Sequence, residues 1–110
     1  MLDGGILTGN LTIQANLLTS GLTCNYVEKS STYTITNSDY TINCTSGTFN
    51  TTLPTAIGIK GQIFNIKNMG TGEITVDTTL SQTIDGSSTM GVRQYDNLTV
   101  QSTNENWIIL

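Results

Sequence analysis

Apolar and polar residues alternate along much of this chain. In residues 6–17 the apolar positions, with Gly9 in phase, recur at every second residue: Leu7, Leu11, Ile13, Ala15 and Leu17. The same period continues where Tyr33 and Ile35 alternate with threonines, and again at Tyr40, Ile42 and Cys44. A period of two is typical of a β-strand with one buried face. The pattern therefore predicts one or two strands in residues 6–17 and further strands after residue 30.

Turn signals divide the later part of the chain into short segments. Residues 68–72 (Asn-Met-Gly-Thr-Gly) separate a predicted strand at 63–67 from another at 74–80, and we predict a hairpin with positive φ angles at this turn. Short strands that recur about every 8–12 residues, with turn signals between them, favour a sandwich or barrel. We therefore predict an all-β fold, a small antiparallel β-sandwich or barrel-like domain over residues 26–110. An extended β oligomerisation segment over residues 1–25 precedes it.

Composition supports this prediction. Thr, Asn, Gly and Ser make up 52 of the 110 residues, whereas Ala occurs twice and Pro once. Thr favours pleated surfaces and Gly, Asn and Ser favour turns, so long runs of good helix formers are missing. Only 11% of the residues are charged. The surface is thus predicted to be polar through hydroxyl and amide groups.

The apolar positions divide into a predicted core and a predicted interface. An N-terminal segment of this length cannot build a core alone, so its apolar side chains are predicted to lie at an oligomer interface: Leu7, Leu11, Ile13 and Leu17. Trp107 begins an apolar run that only makes sense if it is covered, and we expect it to anchor the fold and not to bind a ligand. The predicted structural core is Tyr40, Ile42, Phe64, Ile66, Ile74, Val76, Trp107 and Ile109.

Candidate chemistry is sparse. The chain has no histidine, which removes the commonest general base and transition-metal ligand, so we predict no catalytic residue, no metal site and no cofactor. Four scattered basic residues cannot track a phosphate backbone, and no apolar run is long enough to span a membrane. We therefore expect neither nucleic-acid binding nor membrane insertion. Cys24 and Cys44 could pair as a disulfide or remain free thiols, and the second alternative is favoured.

Two stretches resemble the fibre and virion-decorating proteins of tailed bacteriophages. Residues 3–13 (Asp-Gly-Gly-Ile-Leu-Thr-Gly-Asn-Leu-Thr-Ile) are similar to the GG-x-L-T-G-x-L-T segments of phage fibres. Residues 32–110 resemble a β module of the same proteins through Tyr33-Thr34-Ile35, Asp39-Tyr40-Thr41-Ile42, Leu53-Pro54, residues 61–68, Ile74-Thr75-Val76, residues 83–86 and residues 106–109.

The resemblance implies a non-enzymatic structural protein on the virion surface, assembled in the host cytoplasm as an intertwined homotrimer. Its implied partners are other capsid or tail proteins, with a host-surface glycan as a further candidate. A capsid-decorating or head-fibre protein and a tail-fibre or spike segment both remain open. So does an alternative class, an adhesive or carbohydrate-binding β-sandwich module of a cell surface, which exposed aromatic platforms would mark.

Overall fold

A computed structural model describes residues 5–110, and all regular structure in this part of the chain is β. The strands are short, as expected for alternating segments broken by Gly, Asn and Ser. Their bounds are β1 Tyr26–Lys29, β2 Tyr33–Thr34, β3 Thr41–Cys44, β4 Asn50–Thr52, β5 Ile63–Asn68, β6 Ile74–Asp77, β7 Thr89–Val92, β8 Asn97–Ser102 and β9 Trp107–Ile109.

The strands form two sheets, and the chain crosses between them repeatedly. Sheet A has the order β1-β3-β5-β8-β9 and sheet B the order β2-β4-β6-β7. Odd and even strands alternate between the sheets up to β6, so the chain winds as three stacked coils: β1–β2, β3–β4 and β5–β6. Strand β7 then extends sheet B, and β8 and β9 complete sheet A.

The all-β prediction is confirmed, but antiparallel pairing holds only for part of the fold. β1, β3 and β5 pair in parallel, as do β2, β4 and β6, whereas β7, β8 and β9 join antiparallel. The parallel register places Val27, Ile42 and Ile66 on one inward row. Ile42 and Ile66 are fully buried. Stacked coils bury such a row continuously, which explains the parallel arrangement.

The hairpin predicted at residues 68–72 is wrong, because β5 and β6 belong to different sheets and the segment is a corner. The Asn68 side chain shapes this corner by donating to the Gly72 carbonyl at 2.7 Å and accepting from the Gly70 N–H at 2.9 Å. Neither glycine has a positive φ. Gly72 is needed for close approach instead, since a Cβ there would lie 2.1 Å from Thr48 Oγ1 in the preceding coil.

The core lies between the two sheets. Of the eight predicted core residues, Ile42, Phe64, Ile66, Ile74, Val76 and Trp107 are buried. Ile109 is half-buried against the core, whereas Tyr40, just before β3, is half-buried and outside the core cluster. Several further core residues lie in loops or at strand ends, where alternation is interrupted: Ile35, Phe49, Leu53, Ala56, Ile84 and Val92.

Candidate assembly surface

Residues 5–25, here called the arm, precede the first strand and lie outside the core. The structure shows no strand in them, and apart from the half-buried Cys24 they are exposed. Asp3 and Gly4 of the segment similar to phage fibres, and the rest of residues 1–4, lie outside the described residues. The structure describes a single chain. The extended β form that we predict for residues 1–25 in an oligomer therefore stays a prediction.

The arm exposes many large apolar side chains. The four predicted interface residues, Leu7, Leu11, Ile13 and Leu17, are 61%, 66%, 43% and 62% exposed in the single chain. Ile6 and Leu18 are exposed to 89% and 97%. A short segment that exposes so many large apolar side chains is a candidate site of interaction.

The arm also lacks the charged residues and prolines that discourage association between exposed β-forming segments. The sequence carries no charged residue and no proline from residue 4 to residue 27. Natural proteins protect exposed β-forming segments with charges, prolines or bulges. A segment with strand-like alternation and none of these devices is prone to pair with another chain. The arm thus exposes an apolar, uncharged segment that none of these features protects.

Few contacts hold the arm to the body of the protein. At its C-terminal end, the Asn25 side chain donates to the Ser38 carbonyl, and the Asn25 carbonyl accepts from the Thr41 N–H at 3.0 Å. Thr19 and Gly21 form a local turn through the threonine hydroxyl. The arm is thus fixed where it enters β1 and has little support elsewhere in the described chain.

A polar cleft of about 640 Å³ lies where Asn10 of the arm passes the loops of the body. Its wall is made of amides, one ammonium group and backbone: Asn10, Asn37, Gly58, Ile59, Lys60, Gln62 and Asn104. The Asn104 side-chain oxygen already accepts from the Gly58 N–H at 2.8 Å. The remaining amides could donate to hydroxyl groups of a ligand, but no aromatic ring lines the cleft for stacking on a sugar.

Metal-ligating side chains are not clustered in the part of the chain that the structure describes. No group of three or more His, Cys, Asp or Glu side chains in residues 5–110 could hold a metal ion. The buried carboxylate, Asp39, has a structural role, since it accepts from the Tyr33 hydroxyl at 2.6 Å and the Thr36 N–H at 2.9 Å. The hydrogen bond to Asp39 raises the pKa of Tyr33. Within the same range, no helix has the length and apolarity to cross a bilayer.

The two cysteines are free thiols, and they differ in environment. Cys44 is fully buried at the end of β3, and burial raises the pKa of its thiol from 9.0 to about 11. Its neutral form is thus favoured in the folded state. Because the folded pKa lies above the unfolded one, this contribution to stability is complete below pH 9 and is lost as the pH rises towards 11.

We expect an alkylating reagent at pH 8 to leave Cys44 unmodified until the protein unfolds. The Cys24→Ser variant isolates this thiol, and mass spectrometry should find no label in the native variant and one label in denaturant. Because Tyr33 also has a raised pKa, the free energy of unfolding should fall steadily above pH 9. Rapid labelling of the native variant would contradict the burial of Cys44.

Comparisons with protein-family models, curated proteins and solved structures find no match to this chain.

Proposed function

We propose that this protein is a non-enzymatic structural component of a tailed-phage virion, a small homotrimer on the particle surface. The arm is the observation that carries the proposal. It is an exposed, uncharged and alternating segment joined to a body that buries its own core. In the virion the body is displayed and the arm is covered by other copies.

Symmetric association explains why the chain combines a folded body with an exposed apolar arm. Three copies packed about an axis bury the apolar side chains of their arms and pair the arms' backbone groups with neighbouring copies, which a single chain cannot do. The resemblance of residues 3–13 and 32–110 to phage fibre and decoration proteins supports a place on the virion, either on the capsid or in a tail fibre. The same resemblance favours a surface position, with assembly in the host cytoplasm and contacts to capsid or tail proteins.

A carbohydrate-binding or adhesive module is the second candidate function. The polar cleft lined by Asn10, Asn37 and Gln62 favours it, because amides recognise sugar hydroxyls and a host-surface glycan would suit a virion protein as well. The arm supports the assembling protein over the binding module. A monomeric binding module has no use for exposed Leu11 and Leu18, whereas an assembling protein needs them.

Sedimentation of the purified chain at micromolar concentration is expected to show three times the monomer mass of 11.8 kDa. Immuno-electron microscopy should place the same protein on particles and not in the surrounding medium. A stable monomer at all concentrations would refute the assembly, and particles without the protein would refute the virion assignment.

A further inference from the structure

The two edges of sheet A differ in whether other backbone segments cover their hydrogen-bonding groups. Beyond β9, at one edge, the chain segment 83–85 covers the strand. The Trp107 N–H donates to the Thr83 carbonyl at 2.8 Å, the Asp85 N–H donates to the Trp107 carbonyl at 3.0 Å, and the Ile109 N–H donates to Asp85 Oδ1 at 3.1 Å. This edge is closed against strand addition.

The opposite edge, formed by β1, is open. The carbonyls of Asn25 and Lys29 accept from the N–H groups of Thr41 and Thr45, at 3.0 and 2.9 Å, and so point towards β3. Backbone groups alternate in direction along a strand, so those of Tyr26 and Glu28 point away from β3. Within residues 5–110 no strand pairs with this outer side of β1.

The core is also incompletely buried at this edge. Val27 continues the inward row of Ile42 and Ile66, but it is only half-buried because no strand among residues 5–110 stacks on the first coil. On sheet B, Tyr33 ends the corresponding row half-buried, with the Lys29 ammonium 4.1 Å from the centre of its ring. In stacked repeat folds the exposed face of the terminal repeat is covered either by a capping element with a polar outer face or by a neighbouring molecule.

We infer that the open edge of β1 is a strand-addition site, and that its occupant is the arm of a second copy of this chain. The inference rests on the proposed assembly and names the surface that mediates it. The arm brings the alternation that a strand requires and has no charge to bury against Val27. The chain's own arm does not occupy this edge, since none of residues 5–25 pairs with β1. Asn10 of the arm instead borders the cleft with Gly58 and Asn104, in the loops before β5 and β9.

The side chains of the arm suit both faces of the extended sheet. Leu11, Ile13 and Leu17 would all lie on the inward face, where one of them would continue the row of Val27, Ile42 and Ile66. The alternate residues Thr12 and Gln14 would then continue the outer face, where Thr41, Asn65 and Thr99 lie in register. Threonine and amide side chains form favourable cross-strand pairs on such faces. One added strand thus covers the half-buried row and extends a polar surface.

Hydrogen exchange on the assembled wild-type protein tests the site directly. The amides of Tyr26 and Glu28 should be protected in the assembly and exchange rapidly in the Leu11→Asp/Ile13→Asp variant, which cannot assemble. The Val27 amide, which faces β3, should stay protected in both. This pattern separates strand addition from general stabilisation of the body.

Proline at position 28 provides a second test, because it removes an outward N–H and leaves the pairing of β1 with β3 in place. Glu28→Pro should weaken assembly by about tenfold or more, the equivalent of one lost hydrogen bond together with a ring clash. Glu28→Ala is the matched control, since it removes the same side chain, including its contact with the Tyr26 hydroxyl, and keeps the N–H. It should assemble like the wild type.

The outcomes distinguish this inference from the proposed function. If the wild type is trimeric, its Tyr26 and Glu28 amides exchange rapidly and Glu28→Pro assembles normally, the arms pack elsewhere. That result overturns the strand-addition site and leaves the proposed assembly standing. If the wild type is monomeric at every concentration, both are overturned.

Discussion

Trp107→Ala is expected to abolish stable folding. Trp107 is 1% exposed, and its ring centroid lies 5.6 Å from that of Phe64 in the middle of the core. Truncation of a buried tryptophan costs about 3–5 kcal/mol, out of the roughly 5–15 kcal/mol by which a domain is stable. The indole N–H has no hydrogen-bond partner among the described residues, so the loss is one of packing.

Chemical denaturation followed by circular dichroism measures this effect, and Trp107→Phe is the matched control. Phenylalanine retains an aromatic ring beside Phe64 and sacrifices no hydrogen bond, so it should cost much less than alanine. Tyr95→Phe, at an exposed ring, should leave the melting temperature unchanged. A Trp107→Ala protein that folds normally and loses only glycan binding would favour the adhesive function and contradict our interpretation of Trp107.

Leu11→Asp combined with Ile13→Asp is expected to abolish assembly while the body remains folded. Both side chains are exposed in the single chain, so charges there cost little before association. Once covered by another copy, each unpaired carboxylate would cost several kcal/mol. Sedimentation should therefore show a monomer of 11.8 kDa with the far-ultraviolet spectrum of the wild type.

The alternating pattern provides a control with the same added charge. Thr12→Asp combined with Gln14→Asp places two carboxylates on the opposite, polar face of the same segment, where they would remain solvated. This variant should assemble nearly as well as the wild type, with a modest salt dependence from charge repulsion. Equal behaviour of the two double variants would show that the arm has no buried face.

Local signals predicted several strands of the body. The alternation around Ile42 predicted β3, and the strand predicted at residues 74–80 is present as β6. These features depend on residues close together in the chain, where side-chain direction and backbone preference act directly. Composition likewise excluded helices, because Thr, Asn and Gly disfavour them.

Partner strands were harder to predict, as the corner at residues 68–72 shows. A Gly-rich turn between two alternating segments is typical of a hairpin, and the sequence does not reveal that Asn68 turns the chain towards the other sheet. The choice depends on Gly72 packing against Thr48 of the preceding coil, a contact between residues far apart in the chain. The same limitation applies to Ile35 and Leu53, whose burial arises from neighbouring coils.

The sequence by itself determined that this protein is all-β, that its polar residues are mainly hydroxyls and amides, and that its first segment is apolar on alternate residues. Each follows from residue type and period, which act over a few neighbouring positions. Only the tertiary structure decided that the first three strands of each sheet run parallel, that β9 is closed by Asp85, and that β1 is left open. Those features depend on which distant strands meet. Nearly every residue offers the same backbone N–H and C=O groups, so the residue types alone do not specify which strands pair.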